Sequence, residues 1–285
     1  MTSTTAAATD RRLTVIRPPE LTLSAVARRL AQLPRHGHLL AALTAHRIKV
    51  RYKQSALGPV WALLQPFAMM VIFATVFSMV VRIPSSGHPY ALFAYAGLLP
   101  WTAFASALGS GAVSLVSHAA LVTRVYFPRE ILPLTYVLTA LFDLAVASTL
   151  LGAMLVWYGV PITPAVVWVV PMLLLLGALA FALSLILCAV NVRFRDVGVA
   201  MPLLLQLGMF ASPVVYPREA VPTALLGWYD LNPMVGIVEG FRRAVLDGLP
   251  PDPAPTAASI AVVAILLPAA YLWFTRVDAT MADQI

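Results

Sequence analysis

Residues 47–66 read RIKVRYKQSALGPVWALLQP, a dense basic patch that passes through Leu57-Gly58-Pro59 straight into an apolar run. Arg47, Lys49, Arg51 and Lys53 are crowded immediately before a stretch with no charge at all. That juxtaposition belongs at a membrane surface, where basic side chains are retained on the cytoplasmic side and meet anionic headgroups. Gly58-Pro59 ends any helix that precedes it, because proline disfavours helical geometry in the residue before it. Within the patch the charges alternate with Ile48, Val50 and Tyr52. Period two is a strand signal, and on a helical wheel the four charges fall on two opposed arcs. An isolated strand at a membrane surface leaves its backbone groups unpaired. The patch reads either as a simple electrostatic anchor or as a contact for a partner or an anionic headgroup.

Outward from this stretch the chain keeps the same character. Of its 285 residues 60% are apolar and 11% charged, too concentrated in long runs for a soluble core. Six runs approach the roughly 20 apolar residues that a bilayer core requires: 60–81, 91–113, 132–157, 165–190, 199–216 and 256–275. Trp157, Tyr158 and Trp168 fall where aromatic residues favour the headgroup level. An even number of spans puts both termini on one side. With the termini cytoplasmic, fifteen of the Lys and Arg residues lie inside and four outside, the bias that sets orientation. The first apolar run follows a long basic arm, unlike a cleavable signal, and is expected to remain in the mature protein. A net charge of +7 is explained by anionic lipid, and nucleic acid is not expected as a partner. Cys188, the lone cysteine, is expected to be a small core residue.

Boundaries follow from composition: a cytoplasmic tail and amphipathic interface helix over 1–58, a six-span domain over 59–276, and a cytoplasmic tail over 277–285. Residues 22–32 place Leu23, Val26, Ala27 and Leu30 on one helical face, with Pro34 beyond it. Pro128 and Glu130 suit the first turn of the third span, the acid meeting the helix N-terminal dipole. Asn191, Arg193, Arg195 and Asp196 close the fourth span and mark its inner face. Residues 217–254 hold too many apolar groups for a solvated loop. Asn232-Pro233 there predicts an N-cap and first-turn proline, and a helix over about 233–247 is too short to span. Glu239 reaches Arg242 and Arg243 at helical spacing. Asp143 is the one ionisable residue deep in a span, with no obvious intramembrane base to pair with it; it is either a functional group or a tie between spans.

The chain offers little for enzyme chemistry. Lysine occurs only at 49 and 53, and neither follows glycine, so the loop that cradles nucleotide phosphates is absent. The five histidines have no metal-site spacing, and no GxSxG nucleophile setting occurs.

Three ordered runs, RYKQSxLGxxWxLLQP from Arg51, ALVTRVYFPREILP over 120–133 and NVRFRDV over 191–197, resemble the ABC-2 export permeases for O-antigen, teichoic acid and related polysaccharides, over roughly residues 40–275. The resemblance implies an all-α integral membrane protein of six transmembrane helices, with an N-terminal interfacial helix and two short re-entrant helices before the last span. It implies an interface helix and entry loop carrying Arg47, Lys49, Arg51, Tyr52, Lys53, Leu57 and Gly58. A coupling segment of Arg124, Tyr126, Phe127, Pro128, Arg129 and Glu130 would dock on a separate ATPase that holds ATP and Mg, this chain holding no cofactor or metal. An outer gate would be built from Trp228, Tyr229, Asn232, Pro233, Glu239 and Arg242. Two copies of the chain would move a lipid-linked polysaccharide across the bacterial inner membrane. Trp61, Phe67, Phe73, Phe77, Tyr95, Trp101, Phe104 and Phe210 could stack on sugars along that path, or contact lipid, or fill the core. Two other readings are an ABC-2 permease for a drug or small lipid, and a membrane enzyme acting on lipid-linked sugars.

Overall fold

The structure, a computed structural model, describes residues 33–77, 87–124 and 127–281, and every regular element among them is helical. A 3-10 turn, Leu33–His36, opens α1, Gly37–Tyr52. The patch is therefore helical despite its period-two pattern. The expected helix over 22–32 lies outside the described residues. Lys53 is extended, and Gln54 and Gly58 both have left-handed backbone, at φ 65° and 52°. Glycine suits that geometry at no steric cost, so Leu57-Gly58-Pro59 turns the chain into α2, Val60–Val76.

Next come α3 (Tyr90–Ala112), two short helices α4 (Ser114–Ser117) and α5 (Ala119–Arg124), and α6 (Ile131–Trp157). A 3-10 turn, Pro164–Trp168, leads into α7 (Val169–Arg193), followed by α8 (Asp196–Phe210) and α9 (Thr223–Tyr229). Helix α10 (Pro233–Arg242) runs on through a π turn, Arg243–Asp247, and α11 (Pro253–Met281) ends the described chain.

Among the described residues, four helices are long and apolar enough to cross a membrane: α3, α6, α7 with its leading turn, and α11. The remaining two expected spans appear as shorter apolar helices, α2 with 17 residues and α8 with 15. Prolines interrupt α2, α3, α8 and α11 at Pro66, Pro100, Pro202 and Pro268, a pattern membrane helices tolerate because neighbouring groups re-satisfy the freed carbonyls.

Helix α3 is the hub. It packs against α2, α6, α7, α8 and α10, and Leu92, Tyr95, Leu98 and Leu99 have no exposed surface. Small residues let neighbours approach closely, as between many membrane helices. Gly97 faces the Val214 carbonyl and the Arg242 guanidinium, and Gly111 faces the Ser184 hydroxyl, with no room for a β-carbon at either. Cys188 is buried in the same core.

The apolar segment before α11 divides in two. In α10, Met234, Val235, Ile237, Val238 and Phe241 are buried against α3, α7 and α11. In α9, by contrast, Leu225 and Trp228 are exposed. Ser259 donates to the Pro233 carbonyl at 2.9 Å, fixing the start of α10 against α11.

Candidate functional site

Three groups of polar side chains stand out, and the first is the seam between α1 and α6. Arg47 and Arg51 are four apart on α1, hence on one face; Tyr136 and Asp143 are seven apart on α6, also on one face. The Arg47 guanidinium lies 3.3 Å from the centre of the Tyr136 ring. Arg51 Nη1 is 2.6 Å from Asp143 Oδ2, though its N–H is not aimed for a hydrogen bond, and the Tyr52 hydroxyl donates to Asp143 Oδ1. Asp143 therefore has a basic partner after all, supplied by the interface helix instead of by another span. The two opposed arcs of charge explain themselves: Arg47 and Arg51 turn to α6, while Lys49 and Lys53 are exposed. Helical spacing applied to the patch and to α6 together could have found the pair. Burial, with the Asp143 hydrogen bond second, pushes the Tyr52 phenol well above its ordinary pKa. Burial also lowers the Arg47 pKa.

The second group surrounds the α5–α6 connection. Arg129 Nη1 donates to the Asp278 carbonyl at 2.9 Å and to its carboxylate at 3.0 Å. Glu130 is buried and accepts from the Tyr271 hydroxyl at 2.7 Å. Both charges expected to face a partner are thus turned inward and latched to α11. Glu130 makes no side-chain cap at the start of α6, and Pro128 stands ahead of the helix, its carbonyl accepting from Ile131 N–H at 3.1 Å. Pro128 thus precedes the first turn it was expected to open, while Glu130 stands at the N-cap position of α6. Phe127 is half-buried and Arg124 exposed. Tyr126 lies outside the described residues.

The third group knots the segment between α8 and α10. Arg242 is only 3% exposed. It donates to the carbonyls of Pro213 and Val214 at 2.8 and 3.0 Å and to Glu239 at 2.7 Å, and it stacks over Phe93 at 3.8 Å. The Glu239–Arg242 pair read from helical spacing is formed, and it is buried, because α10 is packed among three helices. Burial raises the Glu239 pKa, with Arg242 opposing. Arg218 grips Asp230 through Nε and Nη2, and the Asp230 hydrogen bond raises its pKa. Tyr229 donates to the Tyr216 hydroxyl at 3.0 Å. Asn232 accepts from Met234 N–H at 3.0 Å, the predicted N-cap, and donates to the Ala211 carbonyl and the Ser212 hydroxyl. Pro233 occupies the first turn as predicted. Trp228 is 78% exposed and outside this knot.

The eight aromatic residues separate by environment. Tyr95 is fully buried and donates to the Ala147 carbonyl at 2.9 Å; Phe104 is buried in the same core. These two fill the bundle. Phe73 and Phe77 stack with each other and lead on to Tyr90. Trp61, Phe67 and Phe210 are exposed on α2 and α8. Trp101 borders a cavity of about 530 Å³ between α2, α3 and α8, whose polar lining is Gln65, Thr102 and Ser106.

The family described as ABC-2 type transporter matches residues 38–246. Among curated proteins, the O-antigen export system permease protein RfbA of Myxococcus xanthus is 33% identical over 260 residues, covering 90% of this chain and 99% of that protein. A protein of the same name from Klebsiella pneumoniae is 26% identical over 212 residues, 74% of this chain and 81% of its own length. The polysialic acid transport protein KpsM of Escherichia coli is 26% identical over 213 residues, 73% of this chain and 81% of its own length.

Proposed function

The chain belongs to the ABC-2 type transporter family, and from that premise we propose that it is the transmembrane permease of an exporter that moves a lipid-linked polysaccharide outward, driven by a separate ATPase. The observation that carries this reading is the near full-length similarity to an O-antigen export permease, 99% of which aligns with this chain. The multi-pass helical bundle agrees with it. Energy must come from outside the chain, since no phosphate-cradling loop occurs in its sequence.

In the proposed arrangement α2 and α8 complete six spans, both termini are cytoplasmic, and α9 and α10 form the re-entrant outer gate. Two copies of the chain enclose the path. Support for the path comes from the cavity beside α2 and α8, where Gln65, Thr102 and Ser106 offer hydroxyl and amide groups to a sugar and Trp101 offers a stacking face. The exposed apolar faces of those helices, including Ile72, Leu203 and Leu207, need cover from lipid or a second copy.

The experiment is reconstitution of the chain with a co-expressed candidate ATPase, followed by ATP hydrolysis with and without lipid-linked glycan. Glycan-stimulated hydrolysis is expected from the complex, and none from the chain alone. Stimulation by a small drug, with none by any glycan, would move the function to the small-substrate branch of the family.

A further inference from the structure

Beneath the α1–α6 seam lies a cavity of about 520 Å³, walled by α1, the end of α3, α5 and the start of α6. That volume is within the range of small-ligand sites, about 300–1,000 Å³. Among the described residues, His46, Arg47, Arg51 and His118 line it, and no Asp or Glu does. Arg51 is already matched with Asp143. Arg47 is different: it rests on the face of Tyr136 and, among the described residues, forms no salt bridge. Half-buried and desolvated, that guanidinium is an electrostatic debt that a bound anion would settle.

His118 points to the same chemistry. Its Nδ1 is 2.9 Å from the Ser114 carbonyl oxygen, which can only accept, so Nδ1 carries the hydrogen. Nε2 is the nitrogen left for a ligand, accepting from a ligand hydroxyl in the neutral ring and donating to a phosphate oxygen in the imidazolium. The ring meets Tyr136 edge-on at 6.1 Å, on the same tyrosine that supports Arg47. The rest of the wall is apolar, including Leu43, Val50, Leu121 and Leu132. A free inorganic anion would have no use for such a wall, whereas a chain attached to the anion would lie along it.

We infer that this cavity binds the phosphate group of a lipid, with Arg47 and His118 on the phosphate and the hydrocarbon leaving between Leu43, Val50 and Leu121. Either a glycerophospholipid or a polyprenyl carrier presents this chemistry. Which leaflet supplies the lipid rests on the orientation proposed above; the site itself does not.

The test is lipid affinity of the purified chain in detergent, read by native mass spectrometry with three probes: phosphatidylglycerol, undecaprenyl diphosphate and sodium pyrophosphate. Arg47→Gln is expected to weaken binding of at least one lipid by about tenfold, the loss of one charge-assisted contact. Arg47→Lys keeps a cation on the site but not the planar fork that rests on Tyr136, and is expected to bind the lipid more tightly than Arg47→Gln and less tightly than the native chain, which separates lost charge from a disturbed fold. His118→Gln is expected to weaken the same lipid, and Arg276→Gln, at an exposed position on α11, to leave it unchanged. A selective loss for phosphatidylglycerol assigns a bulk-lipid site, and one for undecaprenyl diphosphate a carrier site; both support the inference. Unchanged lipid affinity in Arg47→Gln, an equal loss in Arg276→Gln, or binding of pyrophosphate alone overturns it. No ATPase or glycan enters the measurement, so failure here and failure of the export reading are told apart.

Discussion

Asp143, on α6, holds α1 through an ion pair with Arg51 and a hydrogen bond from the Tyr52 hydroxyl. Asp143→Asn keeps an acceptor for the Tyr52 hydroxyl and loses the ion pair, while Asp143→Leu loses both. A hydrogen bond to a charged group contributes about 1.5–3 kcal/mol. The ion pair adds less than a fully buried one, because the Arg51 side chain is 40% exposed and water can replace the lost partner. Thermal unfolding in detergent should therefore rank wild type above Asn, and Asn above Leu. Equal midpoints for all three would mean that α1 is held by something else. Gly97 gives a second, sharper contrast. A β-carbon there would strike the Val214 carbonyl and the Arg242 guanidinium, neither of which is free to move, whereas one at Gly152 meets nothing within 4 Å. Gly97→Ala should cost about 1–3 kcal/mol or prevent folding. Gly152→Ala should be neutral or gain up to about 1 kcal/mol from helix propensity. Similar yields and midpoints for both would refute the close approach of α3 to the 213–215 turn.

At the scale of elements, the described end of the α5–α6 connection is a latch. Arg129 and Glu130 tie the start of α6 to Asp278 and Tyr271 on α11, so a push on this connection reaches two long helices together. In the proposed exporter, such a contact is a route by which hydrolysis in a separate ATPase would reach the membrane helices. Among the described residues of this connection, the exposed charge is Arg124 at the end of α5. Arg124→Glu should leave the unfolding midpoint unchanged while reducing ATPase-driven export in the reconstituted complex. Glu130→Gln should lower the midpoint, since the buried Tyr271 hydroxyl loses a charged acceptor. A midpoint drop in Arg124→Glu with normal export would reverse the two roles. The proline and charges marked this connection in the sequence and the resemblance assigned it to a partner, but the contacts of Arg129 and Glu130 within the chain were not legible. Their partners lie about 140 to 150 positions away in α11, beyond the reach of any local pattern. The N-cap at Asn232 was legible because capping is a contact between near neighbours. Burial of Arg242 was not, because its acceptors are the Pro213 and Val214 carbonyls, which no side-chain pattern announces.

At the scale of the molecule, the long apolar runs were readable because a bilayer demands length and hydrophobicity together, and α3, α6, α7 and α11 satisfy both. The shorter pair, α2 and α8, leaves the span count to be decided by topology. If only the four long helices cross, residues 83–89 lie on the same side as both termini, and the Lys and Arg residues divide twelve against seven. If α2 and α8 also cross, 83–89 lies opposite the termini and the division is fifteen against four. The stronger asymmetry is the one that membrane insertion favours, so the six-span arrangement is expected. A single cysteine at Ser86→Cys, with Cys188→Ser removing the only native thiol, should react with a membrane-impermeant maleimide added to intact spheroplasts. A cysteine appended after Ile285 should react only once the membrane is opened. Protection of position 86 until lysis, with the same protection after Ile285, would establish four crossings. The 530 Å³ cavity beside α2 and α8 would then lie outside the bilayer core, and the proposed export path would have to be sought elsewhere.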